Sequence, residues 1–209
     1  MVDLDGDERT DRRDLTVVPT SDVRIGGVSS TDRDKATWRR WARVVLPTPS
    51  PDVSRRVVDH LAAHLDGLDG DVLTYRPMRG EVSLDALIDR HGPRLLTTRT
   101  PDAGPLTVHR IDGPTERHRF GFEQPAAGSP EADRSSVGAV LVPAVLFGRD
   151  GTRLGHGAGY YDRLLPTLPA SSQRIAVSWS AMTVAGVPTE AHDVPMTHLV
   201  TEHGIAPIS

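Results

Sequence analysis

Cysteine is absent from the 209-residue chain, which excludes a disulfide framework and thiolate chemistry. Aromatic residues are also scarce, at 4% of the sequence. The formal net charge of -4 provides no strongly basic surface, so we expect no binding to nucleic acid or to a membrane. No apolar run approaches the roughly 20 residues of a membrane span, and the N-terminus lacks the apolar segment of a signal peptide. The expected location is therefore cytoplasmic.

Lysine is almost absent as well, since only Lys35 among the 24 lysine and arginine residues is a lysine. So strong a bias suggests that Lys35 is kept for a reason, although chance retention stays open. Lys35 and Arg39 share one face of a predicted helix. That face is either functional or simply a solvated cationic surface.

The chain divides into a polar tail and one domain. Residues 1–30 mix acidic and basic side chains with few apolar ones, so they cannot offset the entropy cost of ordering and are predicted to be disordered. Residues 31–209 carry enough apolar side chains for one core, and they show no internal repeat. We expect this part to be a single, monomeric domain.

Helices and strands alternate along the predicted domain. Four helices are predicted: from Thr31 or Asp32 to before Pro47, from Ser50 to Gly67, from Ser83 to Gly92, and a short one after the glycines at 155–159 that Pro166 ends. Strands are predicted at 71–75, 94–98, 137–142, 174–178 and 198–200, with a hairpin joining 107–111 to 118–120 and a surface loop at 121–134. This alternation predicts an α/β fold, with a parallel or mixed sheet and helices on both faces.

The most informative stretch is 150–163, in which glycines at 155, 157 and 159 precede Tyr160, Tyr161 and an Asp162-Arg163 pair. It follows the most apolar strand, at the edge of a parallel sheet where ligands bind. Glycines and a following helix start suit a phosphate site, although a flexible turn is the alternative. The spacing matches neither the Walker pattern nor the dinucleotide fingerprint.

Residues 141–147 and 151–163 together resemble the signature of the 5-formyltetrahydrofolate cyclo-ligase family, also called 5,10-methenyltetrahydrofolate synthetases. The resemblance extends over about 34–205 in the same order. Its weaker patches are Lys35-x-x-x-Arg39, Tyr75-x-Pro77 with Glu81-Val82, Phe120-Gly121 with Pro125, and 188–195 with Thr201-Glu202.

The resemblance implies a three-layer α/β/α sandwich with a mostly parallel central sheet. It also implies an ATP-dependent ligase that converts 5-formyltetrahydrofolate to 5,10-methenyltetrahydrofolate and releases ADP and phosphate. Its partners would be the folate and ATP, and its cofactors ATP and Mg²⁺. Two alternatives stay open: a non-catalytic nucleotide-binding relative of the same fold, and an ATP-dependent ligase acting on another substrate.

The resemblance and the residue types together predict four sets of site residues. The catalytic residues are Arg153 and Tyr161. The ATP-binding residues are Lys35, Arg39, Arg153, Leu154, Gly155, His156, Gly157, Ala158, Gly159, Tyr160 and Asp162. The substrate-binding residues are Tyr75, Met78, Glu81 and Tyr161. The metal ligands are Asp162 and Asp193, whose carboxylate oxygens suit Mg²⁺.

Several of these residues have structural alternatives. Asp162 could be a first-turn helix acid, Asp193 a cap or an ion-pair partner, and Glu81 a capping acid. Met78 and Trp179 fit core packing as well as a folate pocket. The chain departs from the family pattern at Ala144, Met182, Thr197 and 97–99, and Met182 and Thr197 are expected to remove polar groups near the site.

Overall fold

The computed structural model describes residues 34–45, 47–78, 80–119 and 121–209. The predicted tail, the predicted helix starts Thr31 and Asp32, and Phe120 lie outside these ranges. Within them, no helix has the length and apolar character needed to cross a membrane.

Helices and strands alternate through the described residues. The helices are α1 (Lys35–Val45), α2 (Pro51–Leu65), α3 (Asp85–His91) and α4 (Tyr160–Leu164). The strands are β1 (Asp71–Thr74), β2 (Leu95–Arg99), β3 (Thr107–Arg110), β4 (Thr115–Arg117), β5 (Glu123–Pro125), β6 (Val137–Val142), β7 (Leu146–Gly148), β8 (Arg153–Leu154), β9 (Gln173–Val177), β10 (Thr183–Val184), β11 (His198–Thr201) and β12 (Gly204–Pro207).

A seven-stranded sheet in the order β12-β11-β9-β6-β1-β2-β3 forms the centre of the protein. The strands from β11 through β2 run parallel to their neighbours. The edge strands β12 and β3 are antiparallel to β11 and β2. The predicted α/β fold with a mostly parallel central sheet is therefore confirmed.

Side chains of β6 alternate between two cores, as expected for a strand that is buried on both faces. Ala139 and Leu141 belong to the core that includes the apolar stripe of α2 and part of α3. Val140 and Val142 belong to the opposite core, which includes Leu164 of α4. Helices on both faces give the three layers.

A second, three-stranded sheet, β10-β7-β8, packs with α1. Trp38 and Ala42 of α1 contribute to this third core, together with Leu146, Leu154 and Val184 of the small sheet. The sequence did not predict these strands. They fix α1 and β8 relative to each other, and both elements contribute to the site described below.

Capping explains where the first two helices begin. The carboxylate of Asp34 accepts hydrogen bonds from the N–H groups of Ala36 and Thr37, at 2.9 Å and 3.1 Å. The predicted Ser50 cap of α2 is confirmed, because its hydroxyl accepts from the Val53 N–H at 3.2 Å.

The predicted hairpin between 107–111 and 118–120 is wrong. β3 instead pairs antiparallel with β2, where it buries Val108 against the sheet. The hairpin forms between β4 and β5, so the expected surface loop at 121–134 contains a strand with a buried Gln124. The final strand is β12, because the chain turns after β11 and pairs back on it.

Candidate functional site

The site lies where strand order across the central sheet reverses. β1 pairs with β2 on one side and with β6 on the other, and β9 and β11 continue beyond β6. In open α/β sheets, ligands bind beyond the carboxyl ends of the strands at this switch point. Tyr75 follows β1 and Pro143 follows β6, and both line a cavity of about 590 Å³.

The glycine stretch between β8 and α4 forms one wall of this cavity. Gly157 and Gly159 adopt φ angles of 108° and 64°, a region that disfavours residues with a Cβ. Arg39 of α1 donates from Nε to the Gly155 carbonyl oxygen at 2.8 Å. This hydrogen bond fixes the glycine loop in the cavity wall, so the loop is not simply a flexible turn.

Arg153 is the most deeply buried cation of the site, at 8% exposure. It forms an ion pair with Asp162 of α4, and its guanidinium carbon lies 5.8 Å from the ring centre of Tyr161. Its Nε has no hydrogen-bond partner among the described residues. A buried donor without a partner is costly, so this cation is suited to binding a ligand oxygen.

Glu81 forms part of the opposite wall, on the loop after β1. Its Oε2 accepts a hydrogen bond from the Met78 N–H at 2.8 Å, and its Oε1 lies 3.1 Å from Nε2 of His156. Tyr75 is buried beside it, and its hydroxyl donates to the Val82 carbonyl oxygen at 3.3 Å.

Both tyrosines near Glu81 are held in their neutral form. Burial raises the pKa of Tyr75 and of Tyr161 well above the usual value, and the negative charge of Glu81 raises both further. A neutral phenol keeps its O–H, so Tyr161 can donate a hydrogen bond into the cavity.

Lys35 anchors the third wall, through an ion pair with Asp193. Its Nζ donates to both carboxylate oxygens of Asp193, and it lies 3.2 Å from Oε2 of Glu190. Burial alone would raise the pKa of Asp193, but hydrogen bonds from Lys35 and from the Glu190 N–H lower it below its usual value. Lys35 is only 13% exposed, so it is not on a solvated face.

Carboxylate oxygens suitable for a divalent cation lie in the same wall. Glu190, His192 and Asp193 each offer one ligand atom, and these atoms all lie within 4.8 Å of one another. Glu190 and Asp193 therefore fit the oxygen preference of Mg²⁺. Asp162, the other predicted metal ligand, is paired with Arg153 in this structure.

The structure brings nearly all predicted site residues to one cavity. Leu154 is the exception, because its side chain packs in the core of the small sheet and does not line the cavity. Several lining residues that come from other elements were not predicted from the sequence: Arg43, Arg76, Thr98, Thr100, Phe122 and Glu190. Of these, Glu190 lies in the C-terminal motif at 188–195 and Thr98 in the departure from the family pattern at 97–99. No sequence pattern indicated the others.

Two departures from the family pattern lie away from the cavity, contrary to expectation. Met182 is 4% exposed within the core beneath α2 and α3. Thr197 accepts from the Arg174 N–H at 2.8 Å and so ties its segment to β9. Trp179 is also core, whereas Met78 does line the cavity. Met182 and Thr197 therefore remove no polar group from the cavity itself.

A cavity at the carboxyl edge of a parallel sheet, walled by a glycine loop and lined by five lysine and arginine side chains, is typical of α/β enzymes whose substrates carry phosphate. The chain belongs to the 5-formyltetrahydrofolate cyclo-ligase family, whose family model matches residues 35–202. The predicted family and the predicted enzyme class, a ligase that uses ATP in its reaction, are thereby confirmed.

Individual relatives agree with this assignment. A 5-formyltetrahydrofolate cyclo-ligase of Mycolicibacterium smegmatis is 36% identical over 140 residues, which covers 62% of this chain and 72% of the relative. One from Haemophilus influenzae is 27% identical over 135 residues, covering 60% and 72%. The NMR structure of Aquifex aeolicus 5,10-methenyltetrahydrofolate synthetase superposes with a TM-score of 0.69 at 26% identity, covering 83% of this chain and 92% of that one.

Proposed function

We propose that this chain converts 5-formyltetrahydrofolate to 5,10-methenyltetrahydrofolate in the cavity, using ATP and releasing ADP and phosphate. One observation carries the proposal beyond family membership. The glycine loop, the buried Arg153 and the carboxylate of Glu81 line the same cavity of about 590 Å³. The two substrates can therefore meet there.

The chemistry requires activation of a poor leaving group. The formyl oxygen attacks the γ-phosphorus of ATP, which forms an O–P bond while the bond to ADP breaks. The second folate nitrogen then attacks the formyl carbon and loses its proton to solvent, and the C–O bond breaks to release phosphate. Phosphoryl transfer asks the protein mainly to position the reactants and to neutralise charge.

The cations and the glycine loop are suited to the nucleotide. The loop at 155–159 exposes its backbone to the cavity, so N–H groups can approach phosphates closely. Arg153 offers a fixed, buried guanidinium with one donor unused, which favours charge that develops on the transferring phosphoryl group. Lys35 and Arg39 add charge from α1.

The opposite wall is suited to the folate. The carboxylate of Glu81 can accept hydrogen bonds from N–H groups of the pterin ring. Tyr161 remains protonated and can donate to the formyl group or to the phosphate attached to it. Tyr75 and Met78 add apolar surface on the same side.

Mg²⁺ is part of the proposal, and it would supply further neutralisation of phosphate charge. Asp193 and Glu190 offer ligand atoms close enough together to hold it, and Asp162, on the same cavity, is the other proposed ligand. Each aspartate has a cationic partner in this structure, Lys35 or Arg153. Monomeric state and cytoplasmic location stay predictions from the sequence.

The test is formation of the methenyl product, which has its own near-ultraviolet absorption band. Purified protein incubated with 5-formyltetrahydrofolate, ATP and Mg²⁺ should generate this band, and omission of ATP should prevent it. Binding of ATP without any band would instead favour a non-catalytic relative of the same fold.

A further inference from the structure

A contact between Glu81 and His156 joins two walls of the cavity. The imidazole Nε2 lies 3.1 Å from Oε1, although the residues are 75 positions apart in the chain. Glu81 is 6% exposed and His156 43% exposed. The contact therefore connects the folate-side loop after β1 to the glycine loop on the nucleotide side.

The two oxygens of Glu81 have partners of different kinds. Oε2 accepts from the Met78 N–H at 2.8 Å, and the Glu81 N–H donates to the Met78 carbonyl oxygen at 3.0 Å, so this half belongs to a local turn. Oε1 instead faces a half-exposed side chain from a distant segment. A ligand can therefore replace His156 at Oε1 without opening the turn.

We propose that His156 is a positioning residue that occupies Glu81 until folate replaces it, and that this exchange couples folate binding to ATP binding. The inference rests on the proposed function. The pterin ring presents adjacent N–H donors, which match a carboxylate better than one imidazole does. Folate therefore displaces His156.

The displacement changes what holds the glycine loop. Without folate, the loop is held at His156 by Glu81 and at Gly155 by Arg39. With folate bound, the hydrogen bond from Arg39 remains, and the segment around His156 is free to close on phosphates. Folate thus favours ATP binding, and because coupling free energies are reciprocal, ATP favours folate binding by the same factor.

The experiment is calorimetric titration of a non-hydrolysable ATP analogue with and without 5-formyltetrahydrofolate, and of the folate with and without the analogue. In the unaltered protein, each ligand should lower the dissociation constant of the other by the same factor, roughly fivefold or more. In His156→Ala, the factor by which each ligand changes the affinity for the other should fall to about one, whatever the variant's own affinity for the analogue. His156→Gln, whose amide can still donate to Glu81, should restore the coupling.

A matched control is His203→Ala. His203 faces a glutamate in the same way, with Nε2 3.5 Å from Oε1 of Glu202, but lies on the turn between β11 and β12 outside the cavity. It should keep the full coupling. A factor of one in the unaltered protein, or full coupling in His156→Ala, would overturn the inference. If methenyl product still forms with either result, the proposed function stands and only the coupling through His156 is overturned. Absence of methenyl product overturns the proposed function and, with it, the coupling.

Discussion

Lys35 donates to both carboxylate oxygens of Asp193, at 2.9 Å and 2.7 Å, across 158 positions of sequence. This ion pair joins the first described helix to the segment between β10 and β11. It also places the single lysine of the chain beside a predicted metal ligand.

Lys35→Ala should raise the KM for ATP by roughly tenfold, because a charged hydrogen-bond donor of the cavity is lost. It should also lower the free energy of unfolding by about 1 to 2 kcal/mol, since Asp193 and Glu190 lose their cation. Steady-state kinetics and urea unfolding measure the two effects. Arg55→Ala, which removes two exposed ion pairs on α2, is the control and should change neither quantity. An unchanged KM in Lys35→Ala would remove Lys35 from the ATP site.

Gly157→Val should abolish turnover. Gly157 has a φ of 108°, and an added Cβ would lie 3.5 Å from the Arg39 guanidinium, so the larger valine would distort the loop that Arg39 holds. Gly128→Val provides the matched control, because that glycine has a φ of 80° with open space around it and lies outside the cavity. Both variants carry backbone strain, but only the first should lose activity. Full activity in Gly157→Val would show that the glycines form a turn and nothing more.

Arg153→Ala should lower kcat by roughly 100-fold or more, as expected when a fixed charge is removed from a phosphoryl-transfer site. Arg153→Lys should recover only part of this loss, because an ammonium cannot reproduce the planar fork that faces Asp162. Steady-state formation of the methenyl product at saturating ATP and folate gives kcat. A fully active Arg153→Lys variant would mean that charge alone is sufficient.

Glu116 should stabilise the β4–β5 hairpin in a pH-dependent way. Hydrogen bonds from Arg99, from the Ala127 N–H and from Gln124 lower the pKa of Glu116 to about 2. Because the pKa of Glu116 is lower in the folded protein than in the unfolded chain, its ionised carboxylate stabilises the fold at pH values above about 4.3, the pKa of an unperturbed glutamate. This stabilisation is lost as the pH falls through about 2. Glu116→Gln should therefore lower the thermal midpoint at pH 7 and have a much smaller effect near pH 2. An equal effect at both pH values would contradict the assignment.

The sequence predicted the features that depend on local spacing. The strand at 137–142, the Ser50 cap and the glycine loop are each encoded within a few neighbouring residues. The strands β7, β8 and β10 are two or three residues long, too short for a periodic pattern to indicate them. The pairing of β3 with β2 depends on the buried sheet edge, which local turn signals at Gly113 could not indicate.

The candidate site was predicted in composition but not in geometry. The resemblance identified the residues, and all but Leu154 line the cavity. The pairing of Lys35 with Asp193 and the contact of His156 with Glu81 join distant segments, so no spacing rule could reveal them. Cavity residues such as Arg43 and Phe122 likewise depend on how α1 and the β4–β5 turn pack.

The proposed function depends most on one step, the phosphorylation of the formyl oxygen itself in the cavity. The most direct test uses 5-formyltetrahydrofolate labelled with ¹⁸O in the formyl group, with ATP and Mg²⁺, and mass analysis of the released phosphate. We predict one ¹⁸O atom in each phosphate and one phosphate for each methenyl product. Product formation with unlabelled phosphate would contradict this account.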